Sequence, residues 1–158
     1  MVSLLALFMG GVAGLRAMMA PALITWAAAL GWLDLSGSWL HFLGSNWAVL
    51  ILTILAVLEL VTDQLPNTPS RKVPQQFITR LITGGVAGAA IGIPYELWLA
   101  GLVSGVLGAI AGTYGGAWAR AKLADHFGND QPAAFIEDGV AFAVAFIIIL
   151  SIPAAATI

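Results

Sequence analysis

The stretch Val2–Leu33, VSLLALFMGGVAGLRAMMAPALITWAAALGWL, decides the fold. Its main interruptions are Arg16 and Pro21. A bilayer core about 30 Å thick needs about 20 apolar residues per helix, so this run is long enough for a tilted or kinked span with an extra turn. We expect the kink at Pro21, because a proline inside a helix removes one backbone hydrogen bond. No Lys or Arg precedes the apolar start, so we interpret it as a retained span rather than a signal peptide.

The composition of the whole chain agrees with this interpretation. Only 9% of its 158 residues are charged, 60% are hydrophobic, and the mean hydropathy is +0.96. Soluble domains carry about 25% charged residues, so this chain cannot cover a water-facing surface of ordinary polarity. A cytosolic enzyme, a basic nucleic-acid binder and a disordered tail are excluded. The expected class is an all-α integral membrane protein in a lipid bilayer, with no disulfides since it has no Cys.

Hydropathy divides the chain into about five membrane helices within one domain, 1–158. Between them lie two polar segments, 63–76 and 120–133, which we expect to be aqueous loops. Four spans are the alternative, if one segment lies on the membrane or only partly enters it. The predicted spans are 3–33, 46–62, 78–93, 97–119 and 135–152.

The distribution of basic residues predicts the orientation of these spans. Lys and Arg cluster around the second and fourth connections and are absent from the first, the third and the C-terminal tail. Cytoplasmic loops carry the excess of Lys and Arg. Five spans therefore predict a cytoplasmic N-terminus and a periplasmic C-terminus. The residues concerned are Arg71, Lys72, Arg80, Arg120 and Lys122.

Two short patterns occur twice. Gly-Gly-Val-Ala-Gly occupies 10–14 and 84–88, and Asp-x-x-x-Asn occupies 63–67 and 125–129. One interpretation is a parallel repeat that pairs spans 1–2 with spans 3–4, as in some transporters. The other is chance in a Gly- and Ala-rich chain.

Glycines recur at helical spacing in the third and fourth spans. Small residues three or four apart share one helix face and allow close helix packing in lipid. We expect these faces to pack within the subunit; a homo-oligomer interface or the lining of a narrow path is the alternative. The residues are Gly84, Gly88 and Gly92 in the third span, and Gly101, Gly105, Gly108 and Gly112 in the fourth.

Arg16 is the most informative charge, because a charge within a membrane span costs about 2.5–3.5 kcal/mol and needs a partner. In the predicted topology most charges converge on the cytoplasmic half. One interpretation is an ion-pair network that ties helix ends together. The other is a polar vestibule for an anion or a coupled proton, lined by Arg16 and Glu59. The candidate residues are Arg16, Glu59, Asp63, Arg80, Glu137 and Asp138.

Signatures of catalysis are missing from the sequence. It contains no H-E-x-x-H, G-x-S-x-G or P-loop motif. His41 and His126 fall on opposite sides of the predicted membrane and cannot share a metal ion. We therefore expect no enzyme activity, no cofactor, no metal site and no nucleic-acid partner.

Several motifs together resemble the bacterial DUF4126 membrane proteins. They are Gly11-x-x-Gly14-Leu15-Arg16-Ala17-Met18 with Pro21; Leu58-Glu59-Leu60-Val61-x-Asp63-x-Leu65-Pro66-x-x-Pro69-Ser70-Arg71; and Arg80 followed by Gly84 and Gly88. The resemblance covers residues 8–92 best. It implies a small multi-span protein of the bacterial inner membrane and points to Arg16, Glu59, Asp63, Pro66 and Arg80 without giving them roles. Gln64 departs from the family pattern, where Lys often follows the Asp.

Three functions fit these features. The first is a small transporter or channel for a small ion or solute, assembled as a homo-oligomer. The second is a non-catalytic membrane subunit or scaffold that packs on another membrane protein through Gly-rich helix faces. The third, a membrane enzyme acting on lipid or quinone, has the least support in the sequence.

Overall fold

The computed structural model describes residues 1–63 and 72–153. Within these ranges the chain is helical and contains no β-strand. Two short 3-10 helices, His41–Gly44 and Ile93–Tyr95, lie in the connections. The α-helices are α1 (Val2–Leu15), α2 (Met19–Ala29), α3 (Asn46–Thr62), α4 (Pro74–Gly92), α5 (Trp98–Phe127) and α6 (Asp130–Leu150).

The first apolar stretch forms two helices rather than one. Arg16 takes an extended conformation (φ −138°, ψ 107°), which ends α1 before α2 begins at Met19. The prediction of one span over 3–33 is therefore corrected to a pair of shorter helices. The predicted kink at Pro21 is also wrong. Pro21 lies in the first turn of α2, where its missing N–H removes no helical hydrogen bond.

Contacts between helices give their relative directions, and they show that α2 turns back beside α1. The directions of α1, α4 and α5 follow from their glycines. Gly10 of α1 lies against Gly105 of α5 and Gly14 against Ala109, so α1 and α5 run parallel. Gly88 lies against Gly101 and Gly92 against Leu97, so α4 runs antiparallel to α5.

At the start of α2, the backbone of Ala17 contacts Glu59, and further along Trp26 contacts Thr53. These two contacts make α2 antiparallel to α3. The end of the bundle at which α1, α3 and α5 terminate is called the charged end. The other end is called the opposite end.

Two topological predictions change as a result. The copies of Gly-Gly-Val-Ala-Gly lie on α1 and α4, which run antiparallel, so the structure does not support a parallel repeat. The start of α1 and the finish of α6 both lie at the opposite end, where the Tyr95 hydroxyl donates to the Pro153 carbonyl. The start of α1 and the finish of α6 thus lie at one end of the described bundle, whereas the sequence predicted the two termini on different sides of the membrane; the sidedness of the termini stays a prediction.

The segment predicted as the loop 120–133 is mostly helical. α5 continues to Phe127, and α6 begins at Asp130. Gly128 takes the left-handed conformation (φ 66°) that ends α5, and the Asn129 side chain accepts from the Gln131 N–H to cap α6. Charged residues ended the apolar run here without ending the helix.

Glycines hold α1, α4 and α5 in close contact. A Cβ added to Gly84 would lie 2.8 Å from the Ala109 side chain, and one on Gly92 would lie 2.5 Å from the Leu97 carbonyl oxygen. Because these contacts reach neighbouring backbone, the glycine faces are used inside the subunit. A Cβ would also meet neighbouring backbone at Gly88, Gly101, Gly105, Gly108 and Gly112.

Three helices are long and apolar enough to cross a membrane: α4 with its 3-10 extension (Pro74–Tyr95), α5 and α6. α1, α2 and α3 are apolar but shorter. Leu, Ile, Phe and Trp side chains cover much of the exterior. The described part of the chain therefore has the character of a helical membrane protein.

Candidate functional site

A cluster of charged side chains surrounds the break between α1 and α2. Six of them are the residues that the sequence singled out, and Arg120 and Asp130 join them. We call this set the charged cluster. Its members are Arg16, Glu59, Asp63, Arg80, Arg120, Asp130, Glu137 and Asp138.

Arg16 lies at the centre of the charged cluster. It is fully buried, with 0% of its side chain exposed. Its Nη1 donates to Asp63 at the end of α3, and its Nε donates to Asp138 in α6. Its Nη2 has no hydrogen-bond partner among the residues that the structure describes. One guanidinium therefore joins the broken helix to two neighbouring helices.

Glu59 binds the start of α2. Its Oε1 accepts from the Ala17 N–H (2.7 Å), and its Oε2 accepts from the Met18 N–H (2.8 Å). N–H groups before the first turn of a helix have no partner within that helix, and that end carries a partial positive charge. A carboxylate satisfies both needs, so Glu59 stabilises the break in the chain.

Arg80 binds the finish of α1 in the complementary way. Its Nη1 donates to the carbonyl oxygens of Gly14 (2.9 Å) and Leu15 (2.7 Å), which are among the last carbonyls of α1. Its Nη2 lies 3.8 Å from Glu59 Oε1. Arg80 thus binds the negative end of α1, and Glu59 binds the positive end of α2. These two side chains also pair with each other.

Arg120 connects the last part of α5 to α6 and α3. Its Nε and Nη2 donate to the two Asp130 oxygens (2.9 and 2.6 Å), and its Nη1 lies 3.4 Å from Glu137 Oε2. Its Nη2 also reaches the Asp63 carbonyl at 3.5 Å. Arg120 closes the charged cluster on the side facing α6.

The charged cluster lies inward from the ends of the long helices, and apolar side chains surround it. Phe135 on α6 is 66% exposed and Trp118 on α5 is 65% exposed, with Val61 and Ile78 also exposed nearby. Burying charges beside apolar side chains is costly, and the pairing within the charged cluster offsets that cost.

Arg120 and Asp130 were missed by sequence reasoning because both were assigned to an aqueous loop. A signal was available in the pair Gly128-Asn129, since glycine ends helices and asparagine begins them. That pair predicts two antiparallel helices with a minimal turn. Such a turn brings residues on either side of it together.

A metal ion would need a group of three or more His, Cys, Asp or Glu side chains, and none occurs in residues 1–63 and 72–153. His41 lies in the 3-10 helix at the opposite end, and His126 near the finish of α5. The two histidines are thus at different ends of the bundle.

Asp34 is part of a small polar turn at the opposite end. Its Oδ1 accepts from the Ser36 N–H (2.9 Å) and from the Ser36 hydroxyl (2.5 Å). Both bonds favour the charged carboxylate, so they hold the pKa of Asp34 below its usual 3.8. This end therefore carries a stable negative charge.

Comparison with known proteins gives a family. The family model described as a domain of unknown function, DUF4126, matches residues 4–158, which is essentially the whole chain. No curated protein matches, and no solved structure matches.

Proposed function

The chain belongs to the DUF4126 family, and from that premise we propose that it is a small bacterial inner-membrane transporter or channel for a small ion or solute. The charged cluster is the polar site in this proposal, and no chemical reaction or cofactor is involved. The observation that carries the proposal is the break between α1 and α2, with each broken end bound by an opposite charge.

Broken helices are used by transporters to bring backbone groups to a site inside the membrane. Here the break lies where four other helices supply charged side chains: α3, α4, α5 and α6. Charges inside the apolar layer are expensive and mark ion or solute pathways. A protein that needed only stable packing would obtain it from apolar contacts, without the free-energy cost of burying charges.

α3 is the element best placed to open this site. It carries Glu59 and Asp63, yet none of its residues is buried, and it packs against α2 and the 3-10 helix His41–Gly44. In the proposed mechanism α3 moves away from α2. The two carboxylates then leave Arg16 and the α2 N–H groups, and a solute gains access to them.

The basic residues supply the proposed orientation. The positive-inside rule supports a cytoplasmic location for the charged end, because four basic residues lie towards it: Lys72, Arg80, Arg120 and Lys122. Because the start of α1 and the finish of α6 lie at the opposite end, both would face the periplasm.

The test is flux of protons and small solutes in proteoliposomes that contain the purified protein. We expect flux in the wild type and its loss in Arg16→Ala and Glu59→Gln. Lys122→Ala and Glu96→Gln are matched controls, because they remove the same charges outside the charged cluster. All variants are first compared by circular dichroism and gel filtration.

Two outcomes would contradict the proposal. One is a folded wild type without flux across a broad panel of ions and small solutes. The other is flux that falls equally in the cluster variants and in their controls.

A membrane scaffold is the second candidate, supported by the exposed apolar face of α3. Trp47, Ile54 and Val61 are exposed on this helix. The glycine faces are used within the subunit, so α3 is the surface on which a second copy or a membrane-protein partner would pack. A stable larger complex after mild detergent extraction, without flux by the protein alone, favours this function.

A further inference from the structure

An apolar cavity lies between α2 and α6, away from the charged cluster. Its volume is about 270 Å³, and eight apolar residues line it. Ligand pockets typically run from about 300 to 1,000 Å³, so this cavity suits a narrow ligand rather than a bulky one. It extends along α2 to Trp32, at the opposite end of the bundle.

The walls of the cavity are apolar, and four of the eight lining residues are aromatic. The Phe142 and Phe146 rings stack on α6, with centroids 6.2 Å apart and planes within 6° of parallel. Trp26 forms part of the facing wall, and its Nε1–H donates to Thr53 Oγ1 at 3.0 Å. A hydrocarbon chain makes favourable contacts with such walls, whereas a polar ligand would lose most of its hydrogen bonds to water on entering.

The cavity opens sideways, towards the surrounding lipid. Trp26, Trp32 and Phe142 are each about half exposed on the outside of the bundle, while Ala27 forms the buried floor. A ligand can therefore enter from the hydrocarbon layer without crossing the protein. Trp32 at its outer edge is the kind of residue found at the membrane interface, where a lipid headgroup meets its chains.

Charge near this edge indicates the headgroup. Asp34 lies two residues after Trp32, which lines the cavity, and Glu96 lies at the same end of the bundle. No Lys or Arg side chain of the described residues lies there. An ammonium headgroup is favoured by such surroundings, and a net anionic one is repelled.

From these features we infer that the cavity between α2 and α6 is a binding site for one acyl chain of a phospholipid, with phosphatidylethanolamine as the favoured lipid. The chain lies between the stacked phenylalanines and Trp26. Its headgroup lies beside Trp32 and Asp34. The bound chain would couple the position of α2, whose start is held by Glu59, to the lipid.

The test is quenching of tryptophan fluorescence by phosphatidylethanolamine with brominated acyl chains, titrated into the purified full-length protein in detergent. Two of the six tryptophans line the cavity. We expect a saturable loss of roughly a third of the emission at about one lipid per protein. It should disappear in Ala27→Leu, which fills the cavity, and persist in Ala111→Leu, an exposed site on α5.

A second variant keeps the test valid if Ala27→Leu does not fold. Trp26→Phe with Trp32→Phe keeps aromatic walls but removes the reporters, so the saturable component should vanish. The inference is overturned by quenching that rises without saturation. It is also overturned by a saturable component that survives in this double variant, or that is lost equally in Ala111→Leu.

Discussion

Replacing Glu59 by glutamine tests whether the break between α1 and α2 depends on this carboxylate. Glutamine has the same shape, but one of its two terminal atoms is an NH₂ group that cannot accept from Ala17 or Met18. One N–H is left buried without an acceptor, at a cost of about 1–3 kcal/mol. The ion pair of Glu59 with Arg80, 3.8 Å away, is also lost, and removing one partner of a buried pair costs about 3–5 kcal/mol. Because glutamine keeps one acceptor, we expect the lower end of these two costs together, about 4 kcal/mol.

The measurement is the free energy of unfolding in mixed micelles, followed by circular dichroism during titration with a denaturing detergent. Glu96→Gln serves as the control, since Glu96 lies at the opposite end in the turn between α4 and α5. We expect its effect to stay within about 0.5 kcal/mol, as for most surface substitutions. A change below 1 kcal/mol in Glu59→Gln, or the same change in both variants, would refute the reasoning.

Chemical rescue sharpens the same test. Glu59→Gly leaves the two backbone N–H groups facing a space of carboxylate size, so added formate should raise its melting temperature in a saturable manner. Chloride at equal ionic strength should not. If formate has no more effect than on Glu96→Gly, Glu59 does not hold the break in the way described.

Three further predictions concern other parts of the fold. Gly108→Ala places a methyl group against the backbone of α1 and should destabilise the folded protein by roughly 1–3 kcal/mol or more. Gly115→Ala, with open space around it, should stabilise the folded protein by about 0.5–1 kcal/mol. Thermal unfolding in detergent compares the two variants, and equal effects would contradict the described packing of α5 on α1. Glu96→Gly should raise stability by up to about 1 kcal/mol in the same assay, because Glu96 has a left-handed backbone (φ 58°) that costs a side-chain-bearing residue more than glycine; a loss of stability would contradict this. Asp34 should titrate below 3.8 by carbon NMR of its carboxyl group, and Ser36→Ala should move the midpoint back up. Since this pKa is lowered in the folded state, the stability from Asp34 is present above about pH 4 and lost as the pH falls through the lowered value; an unchanged midpoint in Ser36→Ala would be evidence of another cause.

The charged residues of the site were predictable because hydropathy makes each charge in an apolar run conspicuous. Arg16, Glu59 and Arg80 stand out for this reason, and the cost of burying a charge predicts that they find one another. Hydropathy also explains why Arg120 and Asp130 were not predicted as members of the site. They follow a long apolar run, and hydropathy marks where the polar surroundings begin rather than where a helix ends.

The fold of the first two helices could not be predicted from local sequence. Residues 17–20, Ala-Met-Met-Ala, contain no turn-forming residue, and the neighbouring Pro21 indicates an interruption without fixing its position. The groups that stabilise the break come from Glu59 and Arg80, far along the chain. A window of neighbouring residues cannot contain that information. The sequence therefore predicted a kink at Pro21, whereas the helix breaks at Arg16.

This dependence on distant residues has a consequence for biosynthesis. When Met18 is added to the nascent chain, 62 residues (80 − 18) remain to be made before Arg80 exists. At about 5–20 residues per second, that interval lasts roughly 3–12 seconds. For the first 41 of these residues (59 − 18) the polar backbone between the first two helices lacks its carboxylate, and for all 62 it lacks its guanidinium. The α1–α2 hairpin is therefore completed after translation of α4 begins, and Arg16 waits still longer for its second partner, because Asp63 is made before Arg80 but Asp138 is made after it.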